Sequence, residues 1–258
     1  MSFITIVPVA PVRSEPSHRS EMVSQLLFGE LCEVTETQED FYKVKCNYDG
    51  YEGWCQRSQL TDYEAADYKA AHGFVSTYTD EVLINNESTI IPFGSVIENR
   101  NEPAYQIGPY QILHHSPFSH IPEEEGFTPK LLTEFAHRFM GTAYLWGGKS
   151  VFGVDCSGYV QQVYKMLGVW LPRDAYQQAE KGELVGFLQE AKPGDLAFFD
   201  NAEGRITHVG ILLDEQTIIH ASGNVHIDRI DHSGIINNLT GKRTHSLRLI
   251  KKIVGSEQ

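Results

Sequence analysis

No stretch of this sequence approaches the ~18 consecutive apolar residues that a membrane-crossing helix needs, so a membrane is not expected among its partners. No basic segment precedes the apolar opening MSFITIVPVAPVRSEP, and Pro8 and Pro11 interrupt it, so no export signal is read there and the expected location is the cytoplasm. The four cysteines, Cys32, Cys46, Cys55 and Cys156, contain no CxxC pair. That pattern offers no zinc site, and neither a metal nor a cofactor is expected. Positive charge is scarce: 21 Lys and Arg stand against 34 Asp and Glu, a net charge of -13. A nucleic-acid partner is therefore not expected, because phosphate binding calls for a basic face. A cationic substrate group, by contrast, would be welcome.

What is present is ordinary globular text, 41% hydrophobic and 21% charged. A length of 258 residues suggests two or three domains. Residues 1–62 read as short strands, Val23–Phe28, Leu31–Thr35 and Phe41–Cys46, punctuated by Gly29, Glu39–Asp40 and Asn47–Gly50. Such strands with tight turns suggest a small barrel, with Cys32, Cys46 and Cys55 as buried free thiols. Phe28-Gly29-Glu30-Leu31-Cys32-Glu33 is echoed by Phe93-Gly94-Ser95-Val96-Ile97-Glu98, which places a second, diverged barrel over 68–118. Thr61–Ala71 reads as the connector between them, and His114–Pro129 as a linker. From residue 130 the texture changes. Leu131, Leu132, Phe135, Phe139 and Met140 form a helical stripe ending at Gly141, and Cys156–Leu167 reads as a helix stopped by Gly168. Strands are expected at Leu196–Phe199, His208–Leu213, Thr217–His220 and Leu247–Ile250. Helices followed by antiparallel strands predict an α+β domain over 125–254.

Cys156 stands apart from the other cysteines. Asp155 is a good N-cap residue, so Cys156 falls in the first turn, where the positive end of the helix favours a thiolate. Ser157 and Gly158 are small enough for a substrate carbonyl to approach. A core cysteine at a helix start is the plainer reading of the same text. Asp214-Glu215-Gln216 is a turn signal, and a hairpin folded about position 214 sets His208 opposite His220 on one face. One ring can then act as a base while the other orients it. Two unrelated strand histidines are the alternative, but the cysteine and the histidine pair together point to a cysteine nucleophile.

The blocks DCSGYV, KPGDLAFF, HVGILL and IIHAS, in that order, resemble the NlpC/P60 cysteine peptidases. The resemblance covers residues 128–252 and implies a papain-like catalytic domain preceded by two small SH3-like β-barrels. It makes Cys156 the nucleophile, His208 the base and His220 the polar residue that orients the base, with Asp195 in a structural turn. Two SH3-like domains ahead of such a domain are similar to the γ-D-glutamyl-L-diamino acid endopeptidases. By that similarity the block from Ser20 to Leu27 places a substrate-binding acid at Glu21. The block Asp49-Gly50-Tyr51-Glu52-Gly53-Trp54 places a tyrosine at Tyr51, and Pro172-Arg173-Asp174 places a second acid at Asp174. These three would hold the substrate's free amine, with Asp155 and Ser157 as further substrate-binding residues. Each also fits a plainer role: Glu21 as a surface acid, Tyr51 as barrel packing, Asp174 as the cap of a helix starting near Ala175. Ala175 itself departs from the subgroup, which has serine there.

The expected function is thus a cysteine endopeptidase that cuts the γ-D-glutamyl-L-diamino acid bond of small murein peptides with a free N-terminal L-Ala, in cell-wall peptide recycling. The alternative is an exported peptidoglycan hydrolase acting on intact cell wall. A binding protein with a relic peptidase core is a third reading, disfavoured by the intact Cys156, His208 and His220.

Overall fold

The computed structural model describes residues 2–63, 73–97, 103–114, 119–122 and 127–253. The connector around 64–72 and the Glu123-Glu124-Glu125 stretch of the linker lie outside them. The chain divides into two compact units: Met1–Gly126 with Trp146–Phe152, and Phe127–Leu145 with Gly153–Gln258.

The first unit opens with β1 (Ser2–Thr5), β2 (Val9–Arg13), β3 (Met22–Leu27), β4 (Leu31–Gln38), β5 (Phe41–Cys46), β6 (Glu52–Gln56) and β7 (Leu60–Asp62). They form one antiparallel sheet in the order β3-β2-β6-β5-β4-β1-β7. Alternation drives it. On β5, Phe41, Val44 and Cys46 turn inward while Lys45 faces water. Cys32, Cys46 and Cys55 are free thiols in this core, beside Val12, Leu26 and Val44. Next come β8 (Gly73–Val75), β9 (Thr79–Ile84), β10 (Glu87–Pro92), β11 (Val96–Ile97), β12 (Ala104–Ile107), β13 (Tyr110–His114) and β14 (Ser119–His120). These make two sheets, β10-β9-β13-β12 and β11-β8-β14.

The internal repeat is a repeated turn. Gly29 and Gly94 have φ of 77° and 81°. Gly29 N–H donates to Thr5 O and Gly94 N–H to Val75 O; Glu30 N–H donates to Leu27 O and Ser95 N–H to Pro92 O. The two turns pack on each other through Val96 N–H to Phe28 O at 2.8 Å. One apolar cluster, including Ile4, Phe28, Val75, Ile91 and Ile112, runs through both segments. The segment Trp146–Phe152 belongs to this unit, although the sequence assigned it to the C-terminal domain. Its attachments are polar and buried: Lys149 N–H donates to Gln25 Oε1 at 2.7 Å, and Lys149 Nζ lies 3.4 Å from Glu30 Oε2. Such long-range anchoring leaves no mark in local text.

The second unit has three α-helices among the described residues: α1 (Pro129–His137), α2 (Cys156–Met166) and α3 (Ala175–Gln178). Thr128 caps α1 by accepting from Leu131 N–H at 3.2 Å, and Pro129 occupies the first turn, where its missing N–H costs nothing. This helix buries Leu132, Phe135 and Ala136 and ends at His137, earlier than the apolar stripe suggested; Met140 is exposed. The sheet follows: β15 (Glu183–Val185), β16 (Leu196–Asp200), β17 (Ile206–Leu212), β18 (Thr217–Ser222), β19 (Asn224–Asp231), β20 (Gly234–Ile236) and β21 (Arg243–Lys252). Its order is β15-β21-β16-β17-β18-β19-β20, and β20 pairs back onto β21, closing six strands into a ring. The described chain is thus mostly strand, and the expected α+β class fits it only loosely. No helix among the described residues is long and apolar enough to cross a membrane.

A Cβ at Gly29 would sit 2.2 Å from Val96 O, whereas one at Gly50, also left-handed (φ 72°), would meet only Lys45 Cε at 3.8 Å. Gly50→Ala should therefore cost only the left-handed strain, about 1–2 kcal/mol. Gly29→Ala should cost at least roughly twice that, because the two turns must separate. Urea denaturation of the two variants checks this.

Candidate active site

The start of α2 is held by an internal ion pair. Asp155, the N-cap, accepts from Gly158 N–H at 2.7 Å, which satisfies one of the helix's free donors. Arg173 grips the same carboxylate with Nη2 at 2.6 Å from Oδ2 and Nη1 at 3.0 Å from Oδ1, and Nη1 also donates to Ser157 Oγ at 3.0 Å. Both partners are buried, Arg173 at 2% exposure. Asp155 and Ser157, expected to bind substrate, are thus engaged in a structural network. Sequence reasoning quoted Arg173 only as part of a block; the long spacing to Asp155 concealed the pairing.

Cys156 is the first residue of α2 and 6% exposed. Its Sγ lies 4.0 Å from Thr207 O, against the strand that carries His208. The helix start was expected to make it a thiolate. Burial instead pushes the thiol up to about 12, with the Asp155 charge adding to it; hydrogen bonds from Val209 and Ser157 N–H and the Arg173 charge pull the other way and lose. Burial likewise holds His208 well below the ordinary imidazole range, assisted by the neighbouring histidines. The resting pair is a neutral thiol and a neutral imidazole.

The histidines sit in a hairpin whose register differs from the expected one. His220 pairs with Gly210, not with His208. The Asp214 carboxylate takes the N–H groups of Gln216 and Thr217, and the hairpin folds about position 215, one residue beyond the expected 214. Because the shift moves the partner by two, both rings stay on one face. The glycine is required: a Cβ at Gly210 would meet His220 Cβ at 2.9 Å and Ile218 Cδ1 at 2.7 Å. Over that gap His208 Nε2 reaches His220 Nδ1 at 2.9 Å, and His245 stacks on the His208 ring, centroids 4.1 Å apart.

Behind His220 stands Asp228, buried, with Oδ2 at 3.4 Å from His220 Nε2. Burial alone would raise this carboxyl, but hydrogen bonds from His220, the Asn238 N–H and Asn237 hold it well below the usual carboxylate range. An ionised carboxylate only accepts, so the His220 proton belongs on Nε2. His220 Nδ1 is then an acceptor, His208 Nε2 carries its proton, and His208 Nδ1 is left with a lone pair. The arrangement leaves a basic nitrogen on His208, in the strand against which the Cys156 thiol rests. His226, opposite His220 in the ladder, also points Nε2 at Asp228 Oδ2, 3.1 Å away. The ligand atoms of His220, His226 and Asp228 lie within 4.8 Å of one another. The expectation of no metal rested on absent CxxC pairs and did not reach this group. The H-x-D spacing of His226 and Asp228, two residues on one strand face, was the signal that could have found it.

The other expected residues have plain surroundings. Asp174 caps α3, its N–H donating to Gln177 Oε1 at 3.4 Å, and Ala175 is buried at the helix start. Glu21 lies in the first unit, where Oε1 accepts from Trp146 Nε1–H at 2.6 Å. Tyr51 packs on the core of the β1–β7 sheet, its N–H donating to Asp49 Oδ1 at 3.0 Å. Asp195 accepts from Lys192 N–H within the turn before β16, as expected of a structural residue.

The depressed His208 keeps its base form at pH values where an ordinary histidine, near 6.5, takes a proton. In metal-free buffer, kcat/KM should therefore hold through pH 6.5 and fall only below it; an acid limb at or above 6.5 would contradict the neutral pair. Arg173→Ala would remove the guanidinium from the buried Asp155 carboxylate, so urea unfolding should report a loss of about 3–5 kcal/mol; a loss under 1 kcal/mol would show that Asp155 does not depend on it.

Known proteins resemble this chain in sequence and in fold. Residues 141–244 match the NlpC/P60 family, and residues 12–60 match the bacterial dipeptidyl-peptidase SH3 domain. The γ-D-glutamyl-L-lysine dipeptidyl-peptidase of Bacillus subtilis (strain 168) is 29% identical, the match covering 77% of this chain and 71% of the relative. The dipeptidyl-peptidase 6 of Lysinibacillus sphaericus is 28% identical over 90% of this chain and 92% of the relative. The crystal structure of an NlpC/P60 family protein from Bacillus cereus ATCC 10987 has the same fold, with a TM-score of 0.84 at 20% identity, covering 99% of this chain and all of that one. The chain carries an NlpC/P60 domain preceded by a bacterial SH3 domain, and it is a cysteine-type peptidase.

Proposed function

We propose that the protein is an endopeptidase that hydrolyses the γ-D-glutamyl-L-diamino acid bond of small murein peptides bearing a free N-terminal L-Ala. The observation that carries the chemistry is the buried thiol of Cys156 against the strand of His208, whose ring is locked by His220. The bond class rests on the name of the γ-D-glutamyl-L-lysine dipeptidyl-peptidases, relatives that share most of their length with this chain.

In this reading the substrate carbonyl meets Sγ near the start of α2, where the helix dipole favours the developing oxyanion. The thiol proton passes to His208 Nδ1 as the carbon–sulfur bond forms. Because the resting pair is neutral, the two events occur together. His220 accepts the His208 Nε2–H bond and Asp228 accepts from His220, so the imidazolium is stabilised without moving. Collapse of the tetrahedral intermediate breaks the carbon–nitrogen bond, and His208 returns the proton to the departing amine of the diamino acid. Water then attacks the thioester, giving its proton to His208 and releasing the γ-carboxylate of the D-Glu product. The thiol recovers its proton from His208.

Binding of the free amine is assigned by the family resemblance to Glu21, Tyr51 and Asp174. An ammonium ion that leaves water needs carboxylates to replace its hydration, and each charge-assisted hydrogen bond contributes about 1.5–3 kcal/mol. A requirement for that amine restricts the enzyme to released fragments, which supports a role in recycling rather than in digestion of intact wall.

Acetylating the substrate's N-terminus removes the charge and adds bulk. The expected loss in kcat/KM for N-acetyl-L-Ala-γ-D-Glu-diaminopimelate against the free peptide is at least ~100-fold. Equal rates, or digestion of intact peptidoglycan at a comparable rate, would overturn the free-amine reading in favour of a wall hydrolase. Cys156→Ala should abolish turnover of every substrate.

A further inference from the structure

The hydrogen bonds around His226 pose a problem that a proton or a metal ion must solve. His226 Nδ1 lies 2.9 Å from the carbonyl oxygen of Asn224, which can only accept, so Nδ1 carries the ring proton. In the neutral ring Nε2 is then a bare lone pair. Yet Nε2 sits 3.1 Å from Asp228 Oδ2, an ionised carboxylate oxygen. Two acceptors held that close repel unless a cation stands between them. The same oxygen is 3.4 Å from His220 Nε2.

We propose that His220 Nε2, His226 Nε2 and Asp228 Oδ2 form a site for a zinc ion that switches the peptidase off. Two imidazoles and a carboxylate are a common zinc donor set, with a fourth position left to water. Zinc–nitrogen bonds of about 2.0–2.1 Å put tetrahedral ligands roughly 3.3 Å apart. The separations of 3.1 and 3.4 Å, with the three residues' ligand atoms within 4.8 Å of one another, suit that with small side-chain movements. The surrounding bonds match the usual support of a zinc ligand shell. His226 is oriented by a backbone carbonyl; Asp228 is held by Asn238 N–H at 2.8 Å on Oδ1 and by Asn237 Nδ2 at 3.2 Å on Oδ2. The His226 side chain is 24% exposed and gives an ion a way in, whereas His220 and Asp228 are sealed beneath it.

The inhibitory effect follows from proton positions. Without metal, His220 carries its proton on Nε2 and accepts from His208 at Nδ1, leaving His208 Nδ1 as the base. Zinc on His220 Nε2 displaces that proton, so the neutral ring must carry its proton on Nδ1. His220 then donates to His208 Nε2 across the same 2.9 Å contact. His208 can accept only with its own proton on Nδ1, and the lone pair that took the thiol proton is gone. His220 gives up its Nε2 proton, the proton of the shared contact passes from His208 Nε2 to His220 Nδ1, and His208 takes one on Nδ1, so these two rings exchange no net proton with solvent and no bond between heavy atoms changes. Binding is independent of the catalytic reading; inhibition rests on it.

The test titrates EDTA-stripped full-length protein with zinc chloride by calorimetry and follows hydrolysis of L-Ala-γ-D-Glu-L-Lys in parallel. Wild type should bind one zinc ion, and its turnover should fall in proportion to occupancy. His226→Ala and the size-preserving His226→Gln should each weaken binding by at least about tenfold. Both should keep zinc-free turnover within about twofold and resist inhibition. Cys156→Ala, which removes the thiol as a competing ligand, should bind zinc as wild type does. No stoichiometric binding, or binding unchanged in both His226 variants, would overturn the site. Binding without loss of turnover would overturn the switch. Zinc-free wild type that leaves this peptide uncut would count against the proposed substrate and leave the binding result standing.

Discussion

The bidentate contact between Arg173 and Asp155 is the constraint on which the site depends. Asp155 caps α2, so any movement of its carboxylate moves the first turn and the Cys156 thiol with it. The pair is buried, and a guanidinium is the one cation that can saturate a carboxylate from a single direction while donating to Ser157 as well. Gln178 closes the same region by donating to Ser157 O and Pro172 O. The nucleophile thus stands on a helix end fixed by contacts that span 18 and 21 positions of sequence.

On the facing strands the precision comes from an omission. Gly210 has no side chain where His220 must cross toward His208, and Ile218 fills the space on its other side. The rings are then ordered by Asp228, which can only accept, and the direction of every proton between it and His208 follows. Burial of this chain keeps the rings neutral and the thiol protonated. The thiol and the rings of His208 and His220 thus hold no charge until substrate arrives, so reactivity depends on which nitrogen carries a proton rather than on a standing thiolate–imidazolium pair. A site governed in that way is open to control by any cation that competes for one of its nitrogens.

Much of this was legible in the sequence. The apolar stripe and Gly168 marked α2 within a residue of its end, and the repeated Phe-Gly turn marked two strand-rich segments that share one core. The texts around Cys156, His208 and His220 held enough local pattern to suggest a nucleophile and a base. The strands β19 and β20 were missed because Asp228 occupies an inward position of NVHIDRID and breaks the apolar alternation that identifies a strand. The centre of the hairpin was off by one residue, since Asp214 shapes the loop through its side chain and leaves the backbone pattern unchanged.

The sequence by itself determined the local elements and the presence of a thiol and two imidazoles on them, because capping, periodicity and turn chemistry act between residues a few positions apart. Only the tertiary structure decided their chemical state. Whether Cys156 is a thiol or a thiolate depends on burial beneath strands some 50 residues away, and that burial outweighs the helix end that favours the anion. Which nitrogen of His208 is basic depends on Asp228, reached through His220 across two strand pairings. Desolvation and long-range hydrogen bonds arise from packing, and packing is a property of the folded chain that no short stretch of sequence contains.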